Sequence, residues 1–447
     1  MPIHPIEYRY GTTEMKDIWS EERKLRYVLE VEAALAKAEA DLGMIPEHAA
    51  NSIYKAIDEV KLSRVKEIED EIHHDMMAVV RAISEKVDLE DDYVHYGATS
   101  NDILDTSLAL QFRDALKILE LKLVRLLKVL VIQADKHKRL VCAGRTHGQI
   151  AIPTTYGLRF AIWAKEVERH LIRLGQLYSR VVVGQLTGAV GTQAAFDKQG
   201  VTVQEKTMAY LGLGHVEVSS QIIQRDRHAE YVMFLANVAT TLDKICIEIR
   251  TLQRSEIAEV SETFGGKQIG SSTMPHKRNP IKSEQVCGLA RVIRSYVLPA
   301  LDNNTLWDER DLTNSSCERV IMPEATILTD HILTLSINII GNLQFDKNNI
   351  EKNLGLMRGA NMSEAVMIYL AKRIGRQRAH GIIRSATLKA YERGESLAEA
   401  LSKEPTVVEH ISAEQIVWMM RPENYIGTAV EQVENVVLKL KGIYCQE

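Results

Sequence analysis

The sequence predicts an all-α protein built around long helices. Aromatic residues make up only 6% of the chain, and alternating runs of β-branched residues, which strands favour, are few. Two long stretches, Ile103–Ala143 and His215–Phe264, contain neither glycine nor proline. Helices far longer than the usual average of about 11–12 residues are typical of an elongated bundle.

The length of 447 residues predicts several domains, because one domain usually takes roughly 100–200 residues. We expect an N-terminal helical domain over residues 1–100, a central long-helix bundle over residues 101–345 and a C-terminal helical domain over residues 346–447. The apolar stripes of the central helices are broad. Burial of such stripes between subunits is economical, so we expect a homo-oligomer.

The first hundred residues begin with an irregular arm, Met1–Gly11. A helix should follow and end at Gly43, and two shorter helices are expected at Ala49–Val60 and Ile68–Lys86. The chain then breaks at the polar turn Tyr93–Asp102, whose hydroxyl and amide side chains can cap the next helix.

The central region should start with one helix over Ile103–Ala143, which would extend about 60 Å at 1.5 Å per residue. His215–Phe264 reads as a second long helix with an irregular beginning. Leu158–Val183 and Val286–Leu298 add helical segments, and Pro323 suits the first turn of a further helix. Beyond residue 341 the helices become shorter.

Composition excludes several classes of partner. The net charge of −5 does not indicate nucleic-acid binding, and no uninterrupted apolar run approaches the roughly 20 residues of a membrane span. The five cysteines are scattered, and the N-terminus lacks the pattern of a signal peptide. We therefore expect a reduced, cytoplasmic protein that binds neither nucleic acid nor membrane and uses no metal or other cofactor.

The segment Gly265–Pro280 differs from the helices on either side of it. Its glycines and prolines predict a mobile loop. The loop carries hydroxyl, imidazole, cationic and amide side chains: Ser271, Ser272, His276, Lys277, Arg278 and Asn279. That mixture suits an anionic substrate from which a proton is moved. The alternative is a solvated basic connector.

Three further polar clusters lie at breaks between the predicted helices. They are Arg145–Gln149, which contains His147, and the segments Gln221–His228 and Trp307–Arg319. His147 could exchange a proton near neutral pH, or could simply interact favourably with the end of a helix. The charges of the other two clusters could bind a phosphate or carboxylate, or could pair with one another at the surface. Nucleotide-cradle and nucleophile-elbow motifs are absent from the sequence, which leaves metal-free acid/base chemistry.

The motif GSSTMPHKRNP at Gly270–Pro280 resembles the signature loop of the fumarase/aspartase superfamily of lyases, which release fumarate by breaking a C–N or C–O bond. Other motifs are similar to those of the adenylosuccinate lyase family. They follow that family's order: Arg9-Tyr10, His73-His74-Asp75, GATSND at Gly97–Asp102, GRTHGQ at Gly144–Gln149, QRDRH at Gln224–His228 and WDERDLTNSSCER at Trp307–Arg319. The last hundred residues resemble the family only as a helical domain.

The resemblance implies a homotetramer whose active sites are each assembled from three subunits. It also implies small-molecule substrates and two eliminations of fumarate. One converts adenylosuccinate to AMP, and the other converts the succinylocarboxamide intermediate of purine synthesis (SAICAR) to its aminoimidazole carboxamide product (AICAR).

By the same resemblance, Ser271 is the general base and His147 the general acid. Lys277 and Asn279 would lie near the succinyl carboxylates. The phosphate would be held by Arg9, Tyr10, Arg310, Ser315 and Arg319. The remaining substrate-binding residues would be His73, His74, Asp75, Thr99, Ser100, Thr146, Gln221, Ser272 and Arg278. A serine is a weak base in water, so loop closure and nearby positive charge would have to activate it.

The sequence departs from the family at Gln285, where asparagine is usual, and this lengthens an amide side chain by one methylene. The main alternative activity is that of a 3-carboxy-cis,cis-muconate cycloisomerase, whose signature loop is nearly the same. That alternative fits His147 and the Arg9-Tyr10 arm poorly. Another lyase of the fumarase superfamily is a further alternative, although argininosuccinate lyase and fumarase differ within the loop at the His276-Lys277-Arg278 run. An inactive helical scaffold is the alternative outside enzymes, and it leaves the joint presence of Ser271, His147 and Lys277 unexplained.

Overall fold

The computed structural model describes residues 3–264, 274 and 276–444. The chain divides into two compact units. The first unit consists of Met1–Leu123, His170–Leu242 and Gly288–Thr334, and the second of Val124–Arg169, Asp243–Cys287 and Leu335–Glu447. The expected division into domains at residues 100 and 345 stays a prediction.

The described chain is mainly α-helical, which confirms the predicted fold class. In chain order the helices are α1 Pro5–Tyr8, α2 Thr13–Ile18, α3 Glu21–Asp41, α4 Glu47–Ala56, α5 Leu62–Ile72, α6 Asp75–Ser84, α7 Ser100–Lys136, α8 Tyr156–Val181, α9 Gly200–Leu211, α10 Asp226–Leu252, α11 Ile281–Ser295, α12 Val297–Asp302, α13 Thr313–Gly341, α14 Lys347–Leu354, α15 Ser363–Ile374, α16 Arg376–Arg393, α17 Leu397–Ser402, α18 Pro405–His410, α19 Ala413–Met419 and α20 Ala429–Tyr444. Short 3₁₀ turns lie at Leu89–Asp91, Ala194–Gln199, Ala360–Met362 and Pro422–Tyr425.

Short strands form three two-stranded sheets within the described residues. The pairs are β1 Val141–Thr146 with β2 Gln149–Thr155, β3 Val183–Gly184 with β4 Gly214–His215, and β5 Val260–Ser261 with β6 Gln344–Phe345. The first and third pairs are antiparallel and the second is parallel. The sequence predicted none of them, because each is too short or too irregular for an alternating pattern to stand out.

The first unit has its main hydrophobic core around α3. This helix begins with a capped first turn, in which the Ser20 hydroxyl accepts a hydrogen bond from the backbone N–H of Arg23. Its inner face packs against α4 and α9, and the core includes the fully buried Leu35, Ile53 and Phe196. The predicted end of this helix near Gly43 is confirmed.

The prediction of one helix over Ile68–Lys86 is wrong, because α5 ends and α6 begins within that range. His73 ends α5 in the left-handed conformation with φ of 53°. His74 then caps α6, since its Nδ1 accepts a hydrogen bond from the Met77 backbone N–H at 3.2 Å. The motif His73-His74-Asp75 therefore lies at the junction between α5 and α6, and the backbone of this junction sets the direction of its side chains.

The predicted long helices are also shorter than expected. The first ends at Lys136 instead of Ala143, and the second runs from Asp226 to Leu252. The prediction that Pro323 opens a helix is wrong, because α13 begins ten residues earlier, where Asp311 accepts hydrogen bonds from the Thr313 N–H at 2.7 Å and from its hydroxyl. By length and composition α13 could cross a membrane, but 67% of its apolar window is buried inside the protein, as in a core helix.

The second unit contains a separate core among α15–α19. Its fully buried members include Val366, Leu370 and Leu401. Two capping boxes start short helices here, at Ser396 with Glu399 and at Ser412 with Gln415. The change to shorter helices was visible in the sequence through the glycines between them, such as Gly375 and Gly394, which follow the ends of α15 and α16.

Glu39 on α3 is a buried acid that weakens the fold at neutral pH. Neither carboxyl oxygen has a hydrogen-bond partner among the described residues, and burial together with Glu32 raises its pKa to about 9. The folded state thus holds a proton that the unfolded state releases above about pH 4.5, so stability falls as pH rises towards 9. At pH 7 the ionisation of Glu39 in the unfolded state lowers the free energy of unfolding by up to about 3 kcal/mol.

Replacing Glu39 by glutamine should therefore stabilise the protein by about 1–3 kcal/mol at pH 7–8 and little at pH 5. Denaturant unfolding across this pH range measures the effect. Glu22→Gln, at an exposed position of the same helix, is the matched control. An unchanged dependence of stability on pH in Glu39→Gln would contradict the assignment.

Candidate active site

A pocket of about 320 Å³ in the first unit gathers several of the predicted residues. Side chains from α2–α3, the start of α7, the start of α10 and the start of α13 form its wall. They include Lys24, Asn101, Asp105, Arg225, Arg310, Asn314, Ser315, Glu318 and Arg319. The concentration of arginine, lysine and hydroxyl groups suits a phosphate.

Three residues predicted to hold phosphate line this pocket together: Arg310, Ser315 and Arg319. Two other predicted residues position the arginines. Arg310 Nη1 donates to Gln221 Oε1 at 2.9 Å, and Arg319 Nη2 donates to Asp75 Oδ2 at 2.7 Å. Gln221 in turn donates from Nε2 to the carbonyl of Ala189 at 2.8 Å. The motifs at residues 75, 221 and 310–319, far apart in sequence, thus meet at one place.

A buried ionic network supports the wall of this pocket. Arg225 donates to both oxygens of Asp105, at 2.7 and 2.9 Å, and pairs with Glu318 at 3.0 Å. Burial alone would raise the pKa of Glu318, but His228 and Arg225 outweigh it and lower that pKa to about 2. Asn314 also donates to Glu318, at 3.0 Å. Because each charge is matched, the network fixes α7, α10 and the start of α13 relative to one another.

Thr99 and Ser100 lie at the start of α7, beside the pocket residue Asn101. The Thr99 N–H donates to Asp102 Oδ2 at 2.9 Å. Asp102 also accepts hydrogen bonds from the backbone of Thr187 and Gly188, and burial raises its pKa to about 6. These bonds hold the beginning of α7 in place. His73 and His74 are exposed at the junction described above, and neither lines this pocket.

The N-terminal arm is anchored next to α13. The Thr12 hydroxyl donates to Asp330 Oδ2 at 2.6 Å, and Lys122 also pairs with Asp330. Tyr10 packs against the ring of His331 at 5.2 Å between centroids, while Arg9 is exposed. No described contact joins Arg9 or Tyr10 to the pocket residues, so their phosphate-binding role stays a prediction.

His147 lies at the tip of the β1–β2 hairpin in the second unit, not at the end of a helix as the sequence suggested. His147 and Gly148 form the two-residue turn and have φ values of 52° and 75°. Positive φ at both positions is what a type I′ turn requires. The turn presents the imidazole and the neighbouring Thr146 to solvent.

The base of this hairpin is held firmly. Glu259 accepts hydrogen bonds from Arg145, Tyr156 and Asn353, and Arg159 donates to the Ala143 carbonyl at 3.0 Å. The strand pairing shifts register at Gly144, where an added Cβ would lie 2.5 Å from the Ile152 carbonyl oxygen. A rigid support thus carries an accessible histidine, which is an arrangement suited to proton transfer.

Lys277, Arg278 and Asn279 line a pocket of about 670 Å³ in the same unit, together with Arg250 and Arg254 of α10 and the loop after it. Thr146 lines a separate pocket of about 1230 Å³, and the two pockets share Ile247 and Thr251. Lys277 and Arg278 are exposed, and the Arg278 guanidinium lies 5.5 Å from the ring of Phe264. The predicted residues Ser271 and Ser272 lie outside the described residues.

The pocket of about 320 Å³ in the first unit is the phosphate-type pocket of this protein. Sequence reasoning missed four residues that form or support it. Lys24 and Asp105 carried no motif that distinguished them from ordinary helix residues, whereas Asn314 stood within the motif Trp307–Arg319 but was given no role. Arg225 stood within a polar cluster, but nothing in the sequence indicated that it would be buried and paired with Asp105. Only the packing of α3, α7, α10 and α13 brings these side chains together.

Comparisons with known proteins agree with this geometry. A family model described as "Lyase" matches residues 7–295, which is more than half of the chain. A second model, described as "Adenylosuccinate lyase C-terminus", matches residues 359–436. The first match includes the hairpin of His147 and the segment Gly265–Pro280. The fold and these polar regions therefore define a lyase.

Relatives identify the branch of the family. An adenylosuccinate lyase of Archaeoglobus fulgidus is 53% identical over 98% of this chain and 98% of its own length. An adenylosuccinate lyase of Bacillus subtilis is 39% identical over 91% of this chain and 94% of its own length. The chain belongs to the adenylosuccinate lyase family of the fumarase/aspartase superfamily.

Solved structures share the whole fold. The crystal structure of a fumarate lyase from a Mesorhizobium species has a TM-score of 0.89 and 31% identity, covering 98% of this chain and 99% of that one. A 3-carboxy-cis,cis-muconate lactonizing enzyme from Pseudomonas putida has the same TM-score and identity, covering 99% of each chain. The fold alone therefore does not distinguish these activities.

Proposed function

We propose that this protein eliminates fumarate from adenylosuccinate to give AMP, and from SAICAR to give AICAR. The observation that carries the proposal is the convergence of Arg310, Ser315 and Arg319 on one pocket. Both substrates bear a phosphate monoester, which two arginines and a hydroxyl can hold by charge-assisted hydrogen bonds. The identity to adenylosuccinate lyases over nearly the whole chain supports it.

The reaction requires a base and an acid. The base removes a proton from the succinyl carbon β to the leaving nitrogen, which leaves negative charge on that carbon and the adjoining carboxylate. The C–N bond then breaks, the acid protonates the nitrogen, and fumarate departs with the new double bond. We assign Ser271 as the base and His147 as the acid. Lys277 and Asn279 stabilise the charge on the carboxylate.

His147 suits the acid role because it is accessible and yet mounted on a rigid hairpin. An imidazole can hold a proton near pH 7 and release it to an amine leaving group. Lys277 is exposed within a cationic pocket that also contains Arg250 and Arg254, which suits a dicarboxylate. Lys277 and Arg278 give positive charge to the same segment of the sequence that contains Ser271.

The proposed assembly is a homotetramer in the cytoplasm with active sites shared between subunits. Exposed apolar side chains on the long helices support self-association. Single exposed apolar residues are ordinary, but here several of them lie on α7, α8 and α10, where contact with another subunit would bury them. They are Leu121, Ile132, Ile162, Ile172, Met233 and Ile247. A cycloisomerase is disfavoured, since its solved relative shares 31% identity against 53% for an adenylosuccinate lyase.

Purified protein incubated with adenylosuccinate should release AMP and fumarate in a 1:1 ratio, and SAICAR should give fumarate with AICAR. Fumarate can be followed by absorbance and the second product by chromatography. Absence of fumarate with both substrates would refute the proposed function.

A further inference from the structure

The phosphate-type pocket contains a cation that no motif indicated. Lys24 lies at the end of the first turn of α3 and lines the same pocket as Arg310, Ser315 and Arg319. It is partly buried, although a lysine normally keeps its ammonium in water. Burial and then the charge of Arg319 lower the pKa of Lys24, against the opposing effect of Asp75, Glu21 and Glu69.

Some charged side chains around the pocket form ion pairs and others do not. Arg225 is neutralised by Asp105 and Glu318, and Glu21 pairs with Lys66. Among the described residues, no carboxylate lies within ion-pair distance of the Lys24 ammonium, although Asp75, Glu21 and Glu69 attract it at longer range. Its positive charge is therefore available to a ligand.

Arg310 is in a similar position. Its one described hydrogen bond to a side chain goes to the neutral amide of Gln221, and its buried Nε has no partner among the described residues. Arg319 keeps a single bond to Asp75. Two cations that form no ion pair among the described residues, Lys24 and Arg310, thus line one pocket, and a phosphate monoester carries nearly two negative charges at neutral pH.

We propose that Lys24 is a further phosphate ligand, which acts with Arg310 and Arg319 to neutralise the phosphate of the bound nucleotide. This assignment rests on the proposed function and extends it. Lys24 completes the charge balance and, as a flexible point charge, adjusts to the phosphate that the two planar guanidinium groups orient. The Ser315 hydroxyl adds a hydrogen bond.

The inference predicts a defect confined to ligands that carry phosphate. Lys24→Met should raise the KM for both adenylosuccinate and SAICAR by about tenfold or more with kcat little changed, because the phosphate is bound equally in ground and transition states. The dissociation constant of AMP should rise by a similar factor, while that of adenosine should not change. Calorimetry or a fluorescence titration with both ligands measures this difference.

Two variants control for structure. Lys86→Met removes an exposed lysine of the same unit outside the pocket and should leave all constants unchanged. Lys24→Arg retains the charge and should recover most of the affinity for AMP; if Lys24→Met folds poorly, Lys24→Gln removes the charge with a polar side chain and should show the same selective loss of AMP affinity.

The outcomes separate this inference from the proposed function. An active wild-type enzyme, together with equal losses of AMP and adenosine affinity in Lys24→Met, would overturn the phosphate role alone. Unchanged AMP affinity in the variant would do the same. A wild-type protein that turns over neither substrate would overturn both proposals.

Discussion

Ser271→Ala is expected to lower kcat by about 10³-fold or more while the protein remains folded and associated. The substitution removes the hydroxyl proposed to take the succinyl proton, and a bulk water molecule would not have the same position and orientation. The KM should change much less than kcat, because the phosphate and carboxylate contacts are retained. Steady-state assays of fumarate release and size-exclusion chromatography provide both measurements.

Ser402→Ala is the matched control for this substitution, because Ser402 is exposed on α17 and only bonds back to its own helix. It should have wild-type kinetics. Near-normal turnover in Ser271→Ala would show that another group removes the proton, and the base assignment would be abandoned.

His147→Asn is expected to lower kcat by about 10²–10⁴-fold. Asparagine suits this test because it tolerates positive φ better than most residues, so the I′ turn at the tip of the hairpin should persist. The melting temperature should therefore stay close to that of the wild type, while the leaving nitrogen loses its proposed proton donor. Activity assays and thermal unfolding on the same preparation distinguish these effects.

His380→Asn, at an exposed position of α16, is the matched control and should be fully active. A large drop in melting temperature for His147→Asn would instead assign His147 a structural role in the turn. A raised KM with a normal kcat would instead make His147 a substrate-binding residue.

Mixing the two inactive variants tests the proposed sharing of active sites. If Ser271 and His147 of one site come from different subunits, tetramers assembled from Ser271→Ala and His147→Asn chains contain some sites with both native residues. Activity should then reappear after the mixture is unfolded and refolded together. No recovery in a confirmed mixed tetramer would place both residues on one subunit.

The sequence predicted the helical class because long stretches without glycine or proline survive in the fold as α7 and α10. It misplaced their ends, because β-branched and polar residues that end a helix through tertiary contacts carry weak local signals. The clearest case is the hairpin of His147. Its His-Gly turn lacks the Asn-Gly or Asp-Gly pattern by which such hairpins are usually recognised.

Part of the candidate site was predictable, because some of its residues stood together in the sequence. Arg310, Ser315 and Arg319 stood in a dense polar cluster, and the fold brings them to one pocket with Asp75 and Gln221. Their buried support was not predictable. Asp105, for example, looks like an ordinary charge near the start of a helix until it is seen paired with Arg225.

The most direct test of the account compares kcat/KM for adenylosuccinate with kcat/KM for 3-carboxy-cis,cis-muconate on one enzyme preparation. A solved muconate lactonizing enzyme shares the fold over 99% of this chain, so this ratio depends on the site and not on the fold. We predict a preference for adenylosuccinate of at least about 10³-fold, because only that substrate has a phosphate for Arg310 and Arg319. Turnover of the muconate substrate without release of fumarate from adenylosuccinate would contradict the account.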